Sequence, residues 1–129
     1  MRFHNSLLWT ILLVSPAAVT AQTQDDLFDD SVVHEVRMTM DPTKWQTLLN
    51  NILDSTDYPV DTFVWKGPRN LSATLNDITI HSRGYGSRDA RKPGLHVGFD
   101  GQVTGQNLLG ESSLELKSNT DGDGQFFSN

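Results

Sequence analysis

The segment from Ser82 to Phe99 combines glycine with positive charge, a combination suited to binding an anion. Glycines let backbone N–H groups approach an anion closely, and the flanking cations neutralise its charge. The residues in question are Gly84, Gly86, Ser87, Arg83, Arg88, Arg91 and Lys92. Because strands are predicted on both sides of the loop, a nucleotide phosphate is the ligand that it would suit. The residues alone leave open an ordinary hairpin loop whose arginines face solvent.

A second candidate site lies in the C-terminal tail. Asn119, Asp121 and Asp123 place side-chain oxygens at positions 1, 3 and 5 of an EF-hand-type calcium loop, and Gly124 stands at position 6. The acid expected at position 12 would fall just past Asn129, and the preceding residues favour a strand over a helix. The tail is therefore a candidate calcium site, with a flexible polar turn as the alternative.

Other kinds of site have weaker support. His34, His81 and His96 fall on separate predicted strands without metal-ligand spacing, so we predict surface or half-buried strand residues. The chain has no Cys, which excludes disulfides, thiolate metal sites and Cys nucleophiles. It contains no nucleophile elbow, Walker A motif, dinucleotide fingerprint or H-E-x-x-H motif. Asn70-Leu71-Ser72 is an N-glycosylation sequon, which matters only in a eukaryotic secretory route.

The first 21 residues have the pattern of a secretory signal peptide. Arg2 supplies positive charge, Leu7 to Val14 form an apolar run, and Ala21 ends a stretch of small residues. The apolar run is much shorter than the roughly 20 residues that a membrane-spanning helix needs. The sequence therefore predicts cleavage after Ala21, secretion and no stable membrane span, with an uncleaved anchor as the alternative.

The residues that follow predict a linker, a strand and a helix. Gln22 to Asp30 carries four Asp and is predicted to be a flexible acidic linker, with order beginning at Ser31. Apolar residues at alternate positions from Val32 to Met40 predict a half-buried strand. Asp41-Pro42 suits the N-cap and first position of a helix that ends near Asp54. One face of this helix is apolar: Trp45, Leu48, Leu49 and Ile52.

Further alternating runs predict strands at 60–65, 71–75, 78–82, 95–99 and 114–116. The alternation changes parity at Asn76-Asp77, which predicts a turn or bulge there. The result is an α+β domain over residues 31–117, with one amphipathic helix and a mostly antiparallel sheet. Residues 118–129 are polar and show no closing element, so we expect a truncated chain.

Composition limits the classes of partner. The formal net charge is −6, and an acidic chain is unsuited to bulk nucleic-acid binding, because phosphate attraction needs a positive surface. Hydrophobic residues make up 36% of the chain, which is too many for a disordered segment. The sequence gives no indication of the oligomeric state.

Several short motifs occur in a specific order between Leu27 and Lys117. They are Leu27-Phe28-Asp29-Asp30, Val33-His34-Glu35-Val36-Arg37-Met38-Thr39-Met40, Asp41-Pro42-x-x-Trp45, Tyr58-Pro59, Arg83-Gly84-x-Gly86-Ser87-Arg88, Lys92-Pro93-Gly94-Leu95 and Leu114-x-Leu116. In this order they resemble the start of secreted CotH-like proteins, the spore coat protein H kinase family.

The resemblance implies an atypical secreted protein kinase that uses ATP with Mg²⁺ or Mn²⁺ and acts on protein substrates. The fold would be an incomplete N-terminal lobe of an atypical kinase-like fold. Gly84, Gly86, Ser87 and Arg88 correspond to the family's phosphate loop, and Lys92 is the expected partner of the nucleotide phosphates. Backbone amides and a Lys would stabilise charge on the transferring group.

The chain departs from the family in its C-terminal part. Family members continue through a helical region that holds the catalytic and metal-binding acids, and that region is missing here. No catalytic residue can therefore be assigned, and we expect the isolated chain to be inactive. The alternative function is a secreted β-rich binding or adhesion module, with calcium at the tail, which the acidic charge, the three Trp and the signal peptide would suit.

Overall fold

The computed structural model describes residues 22–84 and 88–117. The predicted signal peptide at 1–21 lies outside these residues. So do two members of the predicted phosphate loop, Gly86 and Ser87, and the predicted calcium ligands Asn119, Asp121 and Asp123. Within the described ranges, neither helix has the length and hydropathy that a membrane crossing requires.

The described residues form a single antiparallel sheet of five strands. The strands are β1 (Glu35–Thr39), β2 (Tyr58–Lys66), β3 (Ser72–Arg83), β4 (Gly94–Gly98) and β5 (Ser113–Leu116). Each strand pairs with the next one along the chain, so the order in the sheet is the order in the sequence. With the two short helices described below, this confirms the prediction of an α+β fold with a mostly antiparallel sheet.

The main helix, α2 (Pro42–Asn50), begins where the sequence predicts. The Asp41 carboxylate accepts a hydrogen bond from the backbone N–H of Thr43 at 2.7 Å, and Pro42 occupies the first turn. The helix ends earlier than the predicted Asp54, because the C-cap residue Asn51 leaves the helical conformation with φ −116° and ψ 43°. Leu48 is fully buried, so the predicted apolar face does pack onto the core.

A shorter helix, α1 (Gln24–Leu27), replaces the flexible linker predicted at Gln22–Asp30. Leu27 is completely buried in the core, and the carboxylate of Asp26 pairs with the guanidinium of Arg69. Asp26 also accepts a hydrogen bond from the backbone N–H of Thr23, which closes the first turn. The linker prediction is corrected here, because one buried leucine and one paired carboxylate attach this acidic segment to the domain.

The core lies on one face of the sheet. Its fully buried aromatic side chains are Trp65, Phe63 and Phe99, and the rings of Phe63 and Phe99 meet edge to face with centroids 5.2 Å apart. Paired positions on neighbouring strands share this face, as in Ile80 opposite Val97. Successive side chains alternate across a strand, so the residues between the core positions lie on the opposite, outer face.

The parity change predicted at Asn76-Asp77 occurs inside β3. Asp77 has a φ of 55°, in the left-handed region that Asp tolerates better than most residues. Neither strand gains an extra residue, because the β2–β3 register is the same before and after this point. The structure therefore replaces the predicted turn or bulge with a kink in a continuous strand. Gln106 bonds to the carbonyl of Asn76 at 2.8 Å, and Gln102 to that of Ile78 at 2.8 Å.

Candidate functional site

The glycine-rich, basic segment forms the connection between β3 and β4. Gly84 follows the last residue of β3 with a φ of 134°, a conformation that L side chains rarely adopt. At the base of the loop, Arg83 pairs with Gly94, and a Cβ on Gly94 would lie 3.0 Å from the Arg83 carbonyl oxygen. Both glycines are therefore required by the backbone of this hairpin, whatever else the loop binds.

Arg88 fixes the loop to the chain that follows α2. Its Nε donates to the carbonyl of Gly84 at 2.9 Å, its Nη1 to the carbonyl of Ile52 at 3.3 Å, and its Nη2 to Oγ of Ser55 at 3.2 Å. The hydroxyl of Ser82 lies 2.5 Å from the same Ile52 carbonyl. Arg88 is thus half-buried and holds the loop in shape, rather than extending into solvent as an ordinary hairpin arginine would.

The C-terminal half of the loop is a compact turn. The N–H of Lys92 donates to the carbonyl of Asp89 at 3.1 Å, and the guanidinium of Arg91 forms an ion pair with the Asp89 carboxylate at 2.8 Å. Hydrogen bonds from the Arg91 side chain and backbone lower the pKa of Asp89 to about 2. Asp89 therefore stays ionised at any ordinary pH and offsets the charge of Arg91.

Of the five residues predicted to bind phosphate, three lie in the described part of the chain. Gly84 and Arg88 are joined directly by a hydrogen bond, and Lys92 lies in the same loop with its side chain exposed. The guanidinium of Arg88 bonds to the loop's own backbone and to the segment after α2, so its first role is structural. Lys92 is the cation of the predicted set that faces solvent.

A row of polar side chains crosses the outer face of the sheet beside this loop. His81 on β3 lies directly opposite His96 on β4, and His96 lies directly opposite Glu115 on β5. The two imidazole rings stack with centroids 4.6 Å apart and planes 19° from parallel. Nδ1 of His81 lies 2.7 Å from Oδ1 of Asp57, and Nδ1 of His96 lies 2.5 Å from Oε1 of Glu115.

The row ends at Arg83, the residue that leads into the loop. Nη1 of Arg83 lies 2.7 Å from Oε2 of Glu115, and this oxygen is buried without an aligned hydrogen bond from any described residue. An open depression of about 540 Å³ adjoins this end of the row and is lined in part by Gln24, Glu111 and Lys117. The outer face therefore carries a connected set of polar side chains, two imidazoles among them, next to the basic loop.

The sequence analysis predicted the three histidines only as separate strand residues. The signal that joins two of them is the register: His81 and His96 each lie between two buried positions of their strands, so both point away from the core. The alternation of apolar and polar residues along each strand predicts the face of the sheet on which a histidine lies. Only the pairing of β3 with β4 shows that the two rings are neighbours. Across residues 22–84 and 88–117, no three His, Asp or Glu side chains are placed to hold a metal ion together.

Comparisons with family models, with curated proteins and with solved structures find no match to this chain. The resemblance to CotH-like kinases thus depends on the order of the sequence motifs alone. What the structure adds is the placement of those motifs on the sheet and in its loops.

Proposed function

We propose that this chain is the N-terminal lobe of a secreted CotH-like protein kinase and that the β3–β4 loop binds the phosphates of ATP. The order of the motifs supports the family, and the signal peptide pattern supports secretion. The position of the motif in the chain supports the site, because residues 83–92 lead from β3 toward β4, and these two strands are paired.

The observation that carries the proposal is the excess of basic residues in the segment that connects β3 to β4. Residues 83–92 contain four basic residues and one acidic residue, in a chain whose net charge is −6. Arg88 makes its three hydrogen bonds to neutral acceptors, so within the described residues no carboxylate contacts it directly. A cationic loop that Arg88 anchors to neighbouring carbonyls is the kind of site that stabilises phosphate oxygens.

Arg88 and Lys92 would have different roles in binding the nucleotide. Arg88 would hold the loop backbone in place and contribute charge from its base, while the exposed Lys92 would contact the β- and γ-phosphates. The Mg²⁺ or Mn²⁺ that accompanies ATP finds no set of three acidic or histidine ligands within the described residues. The proposal for this chain is therefore nucleotide binding, and the metal is assigned no protein ligand.

ATP titration by calorimetry tests this proposal on the full chain, with Lys92→Ala as the variant and Lys66→Ala as the matched control. Both lysines are exposed, and Lys66 lies at the end of β2, away from the loop. Loss of one charge-assisted phosphate contact, worth about 1.5–3 kcal/mol, should weaken ATP binding at least ~10-fold in Lys92→Ala and leave Lys66→Ala unchanged.

Inorganic triphosphate and adenosine separate the two parts of the ligand. Triphosphate should compete with ATP for the wild-type loop, and adenosine alone should not. Equal ATP affinity in both lysine variants would remove Lys92 from the site. The absence of any ATP binding would overturn the proposal and favour the secreted binding module, for which calcium titration is the next measurement.

A further inference from the structure

β1 is an edge strand, and one side of its main chain is unpaired. Within the described residues it pairs with β2 alone, and no other backbone hydrogen bond reaches Glu35–Thr39. Such an edge can accept a further strand, which proteins commonly prevent with a proline, a bulge or charged side chains. β1 contains no proline, and its pairing with β2 runs through all of its residues without a bulge. Its charged side chains therefore decide what this edge can pair with.

The two charges on β1 have opposite signs and lie two residues apart. Glu35 and Arg37 share the outer face of the sheet, where their side chains contact each other and remain 45% and 71% exposed. When two β1 strands pair antiparallel about a two-fold axis, the residue on the axis determines which charges meet. With Glu35 or Arg37 on the axis, like charges lie opposite each other. With Val36 on the axis, each Glu35 lies opposite an Arg37 of the second copy.

We propose that the chain forms a weak symmetric dimer in which the β1 strands of two copies pair antiparallel about Val36. Charge complementarity selects this register, because opposite charges on directly opposed residues stabilise a strand pair and like charges destabilise it. The same register brings Thr39 of the second copy opposite Val33, which precedes β1 and is 97% exposed. The five-stranded sheets of the two copies would then form one continuous sheet. This interface does not involve the ATP loop, which connects β3 to β4.

The edge strand at the other end of the sheet, β5, does not offer such a pattern. Its single charged residue, Glu115, already contacts His96 and Arg83.

The interface through β1 is small. The strand has five residues, whereas a standard protein–protein interface involves about 20–30 residues on each side. We therefore expect a weak dimer, with a Kd of roughly 10 μM or above.

Sedimentation equilibrium of the full chain tests the proposal at concentrations from about 1 μM to 1 mM, which bracket the expected Kd. Arg37→Glu and Glu35→Arg should each weaken the dimer at least ~10-fold, because in each variant two attractive pairs become repulsive. An equimolar mixture of these two variants should restore dimerisation, because the two chains then carry opposite charges at both positions. Lys117→Glu is the matched control, since it makes the same change of charge beside β5.

Crosslinking tests the register, in a chain that has no Cys of its own. Val36→Cys places two thiols opposite each other on the two-fold axis, with Cβ atoms about 4.5–5.5 Å apart, so a short thiol crosslinker should join the two copies. Val33→Cys is the control. Val33 is more exposed than Val36, yet its two copies would lie about 20 Å apart along the paired strands.

A wild-type chain that stays monomeric at the highest concentration would overturn the proposal, and this measurement does not depend on how well the variants fold. A dimer that Arg37→Glu leaves unchanged would also contradict it, as would faster crosslinking at position 33 than at position 36. Assemblies that grow beyond two copies would indicate that β1 pairs with β5 of the next copy, which is a different interface.

Discussion

The indole N–H of Trp65 donates a hydrogen bond to Nδ1 of His34 at 3.1 Å, and the two rings lie nearly parallel with centroids 5.8 Å apart. Because indole is only a donor, Nδ1 is the acceptor of the pair and Nε2 carries the proton that His34 donates to the Asp29 carbonyl. His34 thus joins the largest buried side chain of the core to the segment that precedes β1.

Replacing His34 with Ala should destabilise the domain, because the indole N–H of the fully buried Trp65 loses its acceptor. A buried donor left without a partner costs about 1–3 kcal/mol. The free energy of unfolding from urea denaturation is the measurement. Val33→Ala is the control, because Val33 is 97% exposed and its truncation should have little effect. Equal stability of the two variants would show that solvent reaches the indole.

Gly67→Ala should also destabilise the domain, through a clash with Trp65. A Cβ at this position would lie 2.1 Å from Cζ2 and 2.6 Å from Cη2 of the indole. Because the indole is buried, it could move away only by disturbing the packing of the core. Overpacking of this kind costs about 1–3 kcal/mol. The Trp65→Phe background removes the clashing atoms, so a double-mutant cycle should show a coupling of at least ~0.5 kcal/mol. Additive effects would contradict the clash.

Asp26 should contribute to stability in a pH-dependent way. The hydrogen bond from the Thr23 N–H, together with the Arg69 guanidinium, holds the pKa of the Asp26 carboxyl below its usual 3.8. A lowered pKa means that the contribution is fully present above 3.8 and is lost as the pH falls through the lower value of the folded state. Asp26→Asn should therefore be less stable than the wild type at neutral pH and should differ from it less in acid.

Thermal melts across this pH range check the prediction for Asp26. Asp25→Asn is the control, since Asp25 is the exposed neighbour in the same turn. A difference between the wild type and Asp26→Asn that stays constant as the pH falls below 3.8 would mean that the ionised carboxylate is not the stabilising form.

Arg88→Ala should loosen the β3–β4 loop. The variant loses three hydrogen bonds: one within the loop, to the carbonyl of Gly84, and two to the segment after α2, at the Ile52 carbonyl and at Oγ of Ser55. Backbone amides of residues 88–92 should exchange faster in hydrogen–deuterium exchange, while amides of β1 should not change. Lys66→Ala is the control, because Lys66 is exposed at the end of β2, away from this loop. Unchanged exchange in Arg88→Ala would mean that Arg88 does not hold the loop.

The sequence predicted those elements that are determined by residues close to one another in the chain. The start of α2 follows from the side chain of Asp41 and the ring of Pro42, and both act within one turn. The parity change at Asn76-Asp77 was also visible, because alternation is counted along one strand. Its form as a kink was not, since that depends on Asp77 adopting a positive φ while the β2–β3 register continues.

The features that the sequence missed depend on distant partners. The burial of Leu27 could not be foreseen, because a lone leucine in an acidic stretch has no period to detect. The contact between His81 and His96 requires the β3–β4 register, and the bonds of Arg88 require the path of the chain after α2. Residue type therefore identified the basic loop, and tertiary structure decided that Arg88 bonds to neighbouring carbonyls while the side chain of Lys92 is exposed.

The sequential order of the strands has a consequence for folding kinetics. Every strand bonds to its successor along the chain, so each pairing closes only the short segment between two neighbours. Closure of short segments costs less entropy, and topologies rich in near-neighbour contacts fold faster than those that join distant parts of a chain. The β2–β3 hairpin combines the two longest strands with a five-residue connection, 67–71, so we expect it to form first and the remaining strands to add to it.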